Sequence, residues 1–267
     1  MAGLGIRNDK SRSTVLRAVA LLESFTFEDV ELSLDELARR SGFPRSSTYR
    51  IASDLVMTGL LERVNDGYQL GQKLFELGHM VPRHRYLRDV ALPYLQDLHE
   101  ATSMTVNLAM RDGSEIVYVE KLIQRSTTVP HTRSGGRLPA HCTALGKAIL
   151  AFSPREMIEN FLAPDLVALT RHSLTSAEAL RRELAEVRTK RIAFDNEESS
   201  LGLFCVAAPI LGSHGAAVGA LSVTGAREAE QARNLAPAVA TSARAVSRML
   251  SAGNRSQHAA PGMNHPG

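Results

Sequence analysis

Apolar positions change their period along the chain. Val15, Leu16, Val19, Leu22 and Phe25 recur at helical spacing from Ser13 and predict a first helix. After the acidic stretch Glu28-Asp29-Val30-Glu31, Ser33 stands three residues before Glu36. That is the spacing of a capping box, and it opens a second helix with Leu34, Leu37 and Ala38 on one face. Gly42 is placed to end this helix in the left-handed conformation. Pro44 suits the first turn of a third helix, in which Thr48, Ile51, Ala52 and Leu55 repeat at i, i+3, i+4, i+7 and form an inner face. Asn65-Asp66-Gly67 is a hairpin turn between two short apolar segments, Leu60–Val64 and Tyr68–Leu70. Two short helices on a tight glycine turn, followed by a hairpin, predict a winged helix-turn-helix.

Beyond the hairpin, Gly71 to Met80 reads as a linker helix with Leu74 and Leu77 as its seam, Gly78 a weak point and Pro82 its end. A further helix is expected from about Leu87 through Leu92, Leu95, Leu98 and Ala101, with Pro93 near its first turn. The period then changes to two. Met104–Met110 and Glu115–Leu122 alternate around the turn Arg111-Asp112-Gly113-Ser114, a second hairpin. The Gly-rich loop 133–137 leads into a helix over 143–152. Capping boxes at Ser153/Glu156 and Thr175/Glu178 open two more helices, the second continuing through Leu180, Leu184 and Val187. Strands Leu203–Leu211 and Ala217–Thr224 follow, then a helix over about Glu228–Ser251. Hairpin, helices, hairpin and helix predict an α+β domain on an antiparallel sheet. The expected organisation is a flexible tail (1–10), the winged helix-turn-helix (11–71), a linker helix (72–86), a second domain (87–252) and a disordered polar tail (253–267).

Composition narrows this picture. A chain of 267 residues with 44% hydrophobic and 22% charged residues is long enough for two domains with ordinary cores. The net charge of +3 is small, so affinity for a polyanion would come from local basic faces. Two widely spaced cysteines exclude a disulfide framework and fit a reducing cytoplasm. No stretch approaches the roughly 20 apolar residues of a membrane span, and Met1–Arg7 lacks the apolar core of a signal peptide. The expectation is a cytoplasmic protein with no membrane partner.

Candidate chemistry lies first on the outer face of the third helix. Arg45, Ser46, Ser47, Tyr49, Arg50 and Ser53 are left facing outward, and Leu37 to Ser53 holds four arginines and no acid. Short hydroxyls let a backbone approach phosphates, and arginine forks onto guanine, so this face suits the major groove of double-stranded DNA. Arg63 on the wing adds a further cation. The plainer alternative is a solvated arginine face, and the basic run Arg83, His84, Arg85, Arg88 is read that way. Catalytic signals are poor. His141-Cys142 are neighbours on a segment read as extended, so their side chains point apart. His131, His141, Cys142 and Cys205 lack the close pairing of metal ligands. Asp195-Asn196-Glu197-Glu198 reads as a solvated turn, and Ser134-Gly135-Gly136 has no following Lys-Ser/Thr and is no P-loop. Neither an enzyme nor a cofactor is expected. Two alternatives stay open: a small-molecule enzyme using the helix-turn-helix only for assembly, and a constitutive DNA binder whose second domain only dimerises.

The arrangement over about residues 13–250 resembles the IclR family of bacterial transcriptional regulators. The resemblance rests on Leu37–Ser47, on Gly67–Gly71 of the wing, on Leu138–Ala148, on Asp195–Glu198 followed by Gly202–Pro209, and on Ala220–Gly225, in that order. It implies an N-terminal winged helix, a linker helix and a C-terminal effector domain of GAF-like fold. It also implies dimers or dimers of dimers on near-palindromic operators, and effectors that are small organic acids or aromatic catabolites. By matching motifs, Leu138, Ala144, Leu145, Asp195, Cys205, Ser222 and Thr224 would line the effector pocket, with N–H groups at the start of the 143–152 helix facing an anion. Thr48 stands where the family tends to have an apolar residue, and Leu145 is bulkier than usual there. Asp195 would repel an anionic effector unless it is protonated, turned toward backbone donors, or bridged by water. The plainer alternative is that Asp195 caps a turn and meets no ligand.

Overall fold

The computed structural model describes residues 13–123, 133–163 and 165–258. The expected tail 1–10, His131 and the last residues of the expected C-terminal tail lie outside them. The chain divides into two compact units, Met1–Arg85 and Tyr86–Gly267.

In the first unit, α1 (Thr14–Leu22), α2 (Leu34–Ser41) and α3 (Arg45–Met57) pack around Leu21, Leu37, Ile51, Ala52 and Leu55. Ser33 caps α2 through its side chain, and Gly42 ends the helix at φ 72°. Glu36 does not complete the capping box: its carboxylate turns to Arg39 and Arg40, because two guanidinium groups outcompete one backbone N–H. Pro44 sits at the N-cap of α3, one position before the expected first turn. The predicted inner face of α3 is buried as expected, and Thr48 fits there because its hydroxyl donates to the Pro44 carbonyl at 3.2 Å. The wing is β2 (Leu61–Val64) and β3 (Gly67–Leu70), turning at Asn65 with φ 48°. A two-residue strand missed in the sequence, β1 (Leu32–Ser33), pairs with β3 and makes the sheet three-stranded, in the order β1-β3-β2.

Two helices follow, α4 (Gln72–His79) and α5 (Pro82–Thr102). The second begins at Pro82, earlier than expected, so Pro93 lies deep inside it rather than in its first turn. Proline removes one helical hydrogen bond there, but Leu87, Ala91, Leu95 and Leu98 bury the face that holds the helix in place.

The second unit is built on a six-stranded antiparallel sheet in the order β6-β5-β4-β9-β8-β7. Its strands are β4 (Thr105–Asp112), β5 (Glu115–Leu122), β6 (Arg137–Pro139), β7 (Ala193–Asn196), β8 (Phe204–Leu211) and β9 (Ala217–Ala226). Alternation sorts the side chains onto two faces. Val106, Leu108, Val206, Ile210, Leu221 and Val223 face α5 and the last helix, α9 (Ala229–His258). Ala109, Tyr118, Cys205, Ala207 and Ala220 face α6 (Ala144–Leu150), α7 (Arg155–Leu162) and α8 (Ala177–Lys190). The unit is therefore an α+β domain with helices on both faces of the sheet.

Several local expectations shift. Pro154 rather than Ser153 is the N-cap of α7, and the Ser153 hydroxyl donates back to the Ile149 carbonyl. Ser176, not Thr175, caps α8. Ala140–Cys142 is a short 3-10 turn, not an extended segment, so His141 and Cys142 do not point apart. Both reach the Val167 carbonyl. Asp195 and Asn196, expected in a solvated turn over 195–198, instead end strand β7, which pairs with β8 and packs Ala193 into the core. The final helix continues to His258, past the expected start of a disordered tail at Gly253, because no proline stops it before Pro261.

Candidate functional site

On α3, Arg45, Ser46, Tyr49 and Arg50 are exposed, and Ser47 and Ser53 are half-buried. The Ser53 hydroxyl donates to the Tyr49 carbonyl at 2.8 Å and so is already engaged within the helix. The four arginines of the 37–53 stretch are not equivalent. Arg40 donates to Asp29, Glu36 and the Ser24 carbonyl and ties α2 to the loop after α1. Arg39 pairs with Glu36. These guanidinium groups hold the Glu36 carboxyl down at about 2, and Arg40, with the Thr26 hydroxyl and N–H, lowers the Asp29 carboxyl as well. Arg45 meets Asp35 across 2.5 Å, with both side chains largely exposed. Arg50 alone of the four has no ion pair among the described residues. Arg63 lies on the wing with its guanidinium 5.6 Å from the centre of the Tyr68 ring. The sequence could not show this distribution, because the acids come from the loop before β1 and the first turn of α2.

In the second unit, register aligns a row of polar side chains beneath α6. Asp195 of β7 stands opposite Cys205 of β8, Cys205 opposite Thr224 of β9, and Ser222 opposite Asn107 of β4. Asn107 Nδ2 donates to Ser222 Oγ at 3.2 Å and to Thr224 Oγ1 at 2.9 Å. Ala144 and Leu145 cover the row from α6, and Leu138 of β6 packs against the same core. The residues expected from motifs are thus brought to one layer. The bulk of Leu145 is absorbed in the core, where the residue is buried.

Asp195 is turned toward protein donors. Its carboxylate accepts from the Glu198 and Ser199 N–H groups and from the Ser199 hydroxyl. Burial pushes its carboxyl upward, and these donors oppose the shift. The Cys205 thiol is pushed well above its usual range by burial, then by the nearby Asp195 carboxyl, which keeps it a neutral wall rather than a nucleophile. The Tyr118 phenol, in the same layer, is likewise raised by burial. The N–H of Gly146 is occupied by the Thr143 side chain, so it is not available to a ligand. A Cβ on Gly146 would stand 2.1 Å from the Ala140 carbonyl oxygen, so only glycine lets α6 sit against the preceding turn.

Glu198 corrects the expectation of a solvated acidic turn. It is buried, and its Oε1 meets Lys147 Nζ of α6 at 2.5 Å, while Glu183 of α8 reaches the same amine at 3.1 Å. Asn107, Lys147 and Tyr118 were not among the expected site residues, and Glu198 was read only as part of the acidic run 195–198. An Asn in an otherwise apolar alternating strand, and a Lys inside an apolar helix, were the available signals. Among the described residues no group of His, Cys, Asp and Glu is arranged to hold a metal, and no helix is long and apolar enough to cross a membrane.

A winged helix-turn-helix with an exposed arginine face, followed by a sheet domain with a polar row buried under a helix, defines a DNA-binding transcriptional regulator with an effector-binding domain. Residues 14–65 match the IclR helix-turn-helix domain and residues 79–248 match the Bacterial transcriptional regulator IclR C-terminal domain. The chain belongs to the IclR family. It is 32% identical over 214 residues to the HTH-type transcriptional regulator XynR of Escherichia coli, covering 79% of this chain and 85% of that protein. It is 31% identical over 217 residues to the transcriptional repressor IclR of Escherichia coli, covering 79% of each. Among solved structures, an IclR homologue of Microbacterium hydrocarbonoxydans complexed with 4-hydroxybenzoate superposes with a TM-score of 0.82 at 27% identity, over 89% of this chain and 99% of that one. The Thermotoga maritima IclR superposes at 0.74 with 31% identity, over 89% of this chain and 98% of that one.

Proposed function

We propose that this regulator binds a near-palindromic operator as a dimer or dimer of dimers, and that a small organic acid or aromatic carboxylate held under α6 changes its operator affinity. Arg45, Ser46, Ser47, Tyr49, Arg50, Ser53 and Arg63 contact the DNA in this reading. Leu138, Ala144, Leu145, Cys205, Ser222 and Thr224 line the effector site, while Asp195 braces its floor through the 195–199 turn. The units act as a DNA-binding domain over 11–71, a linker over 72–86 and an effector domain over 87–252. The protein works in the cytoplasm by binding and performs no catalysis.

The observation that carries the DNA reading is Arg50: exposed on α3 and unspent on any acid among the described residues. Self-association is supported by α4, which buries none of its residues and exposes Phe75 and Leu77, with Met80 exposed just beyond it, and by the exposed Val15, Leu16 and Val19 of α1. Apolar helix faces of this kind need a partner to cover them, and a second copy supplies a matching one. The aromatic carboxylate is supported by the complex of the Microbacterium relative with 4-hydroxybenzoate. Effector binding shifts DNA affinity only through a difference in affinity for the two arrangements of the protein.

The test is fluorescence anisotropy with DNA from upstream of the protein's own gene. Specific binding that weakens steeply as salt rises is expected, because phosphate contacts release counterions. Binding with no preference over unrelated DNA, or a flat salt response, refutes the reading.

A further inference from the structure

A groove of about 310 Å³ opens at the β8 edge of the six-stranded sheet, between the end of α8 and α9. Strand β7 begins only at Ala193, opposite Ala207, so from Ala208 onward β8 has no strand on that side. The volume is at the lower end of that of small-molecule sites.

The polar lining has one sign. Lys190 and Arg191 come from the end of α8, Arg244 and Arg248 from α9, and no Asp or Glu lines the groove. Lys190 is paired with Glu186. Arg191, Arg244 and Arg248 make no ion pair among the described residues: Arg191 has the Phe152 ring at 6.0 Å and Arg244 the Thr241 hydroxyl at 3.3 Å. The hydroxyls of the groove are already engaged. Ser247 accepts the Leu211 N–H and donates to the Ala243 carbonyl, and Thr189 donates to the Ala185 carbonyl. What remains free is cationic and can only donate.

These charges do not serve the helices that carry them. Arg244 and Arg248 are one turn apart, where like charges destabilise a helix, and the sequence contains no acid after Glu230 to relieve them. Both stand well inside α9, beyond the reach of its C-terminal dipole. Arg191 holds the left-handed cap of α8 at φ 56°, a position that glycine fills at lower cost.

The floor, with Ala208, Pro209 and Ala243, is apolar. Pro209 has no N–H and the Leu211 N–H is taken, so the edge is poorly suited to receive a peptide strand. A small molecule that answers this lining supplies acceptors and more than one negative charge in little space. A carboxylate brings one charge. A phosphoryl group brings close to two, with three acceptor oxygens that suit arginine forks.

We propose that this groove is a second ligand site, separate from the polar row under α6, and that it takes a phosphorylated metabolite. The phosphoryl oxygens accept from Arg191, Arg244 and Arg248, and the carbon body rests on the apolar floor.

The test is calorimetric titration of the full chain with pyrophosphate and with phenyl phosphate at constant ionic strength, with sulfate as the control anion. Saturable binding of at least one phosphorylated probe, one per chain, is expected. Arg244→Gln/Arg248→Gln binds operator DNA as the wild type does but binds the probe about tenfold or more weaker, the scale of a lost hydrogen bond to a charged group. Arg191→Gly suits the left-handed position, so it melts no lower than wild type, and it loses probe affinity to a similar degree. Ser222→Ala in the polar row and Arg50→Ala on α3 change probe binding by about twofold or less, as distant sites do. No saturable binding, equal binding of sulfate, or undiminished affinity in Arg191→Gly or the double variant overturns the proposal. Loss of binding in Ser222→Ala places the probe under α6, loss in Arg50→Ala places it on the DNA-binding face, and either overturns it too. So does a smaller oligomer for the double variant in analytical ultracentrifugation, because the cations then serve a contact between copies of the chain.

Discussion

Lys147→Met isolates the one fully buried cation among the described residues of the second unit. Lys147 is 1% exposed, Glu198 6% and Glu183 31%, so the amine is shared between one buried and one partly hydrated carboxylate. Methionine keeps the length of the stem but removes the charge. Glu183 can turn outward into water; Glu198 cannot, and its Oε2 already lacks a partner. Breaking a buried pair by removing one partner costs about 3–5 kcal/mol, which for a domain of this size is about 6–20 °C in melting temperature. Differential scanning calorimetry of the wild type, Lys147→Met and Lys147→Met/Glu198→Leu measures it, and the double variant recovers most of the loss because no unpaired charge remains. The pH dependence supplies a second check. Burial already raises the Glu198 carboxyl, and Lys147 is the group that pulls it back. Without Lys147 it rises further. A carboxyl raised in the folded state binds more protons folded than unfolded, so its contribution becomes more favourable as pH falls through the raised value and is lost above it. The deficit of Lys147→Met relative to wild type therefore shrinks between about pH 8 and about pH 5. A variant as stable as wild type, or a deficit equal at both pH values, refutes the account of a buried pair.

Arg50→Ala weakens operator binding by about tenfold or more, the worth of one forked base contact. Arg45→Ala weakens it less, since that guanidinium is shared with Asp35; anisotropy titrations of the two variants give the order, and the reverse order would place the reading contact on Arg45. Gly42→Ala keeps open space around the new Cβ but holds it at φ 72°, so it costs about 1–2 kcal/mol in urea unfolding of the first unit. Gly146→Ala drives a Cβ into the Ala140 carbonyl, and since that neighbour is backbone the cost is about 1–3 kcal/mol or more, with the effector site displaced.

What was legible in the sequence was local. The inner face of α3, the left-handed close of α2 at Gly42, the turn at Asn65 and the alternation of β4 and β5 depend on neighbours within a few residues, and the structure contains each of them. Two kinds of error recur. Cap positions slipped by one residue at α7 and α8, because adjacent Ser, Thr and Pro offer near-equal starts to a helix. Long-range decisions were also missed: β1 and β7 are short strands without a hairpin turn of their own, and pairing with β3 and β8 places them in their sheets.

The sequence by itself determined where helices and hairpins form and which arginines face outward, since periodicity is written into successive residues. Only the tertiary structure decided what those side chains meet. Arg40 finds Asp29 eleven residues away, Lys147 finds Glu198 fifty-one away, and Asn107 reaches Thr224 across 117. Sheet register and helix packing bring these pairs together, and a buried charge or amide takes its meaning from the partner it is given or denied there. No local pattern of hydrophobic and polar residues carries that information.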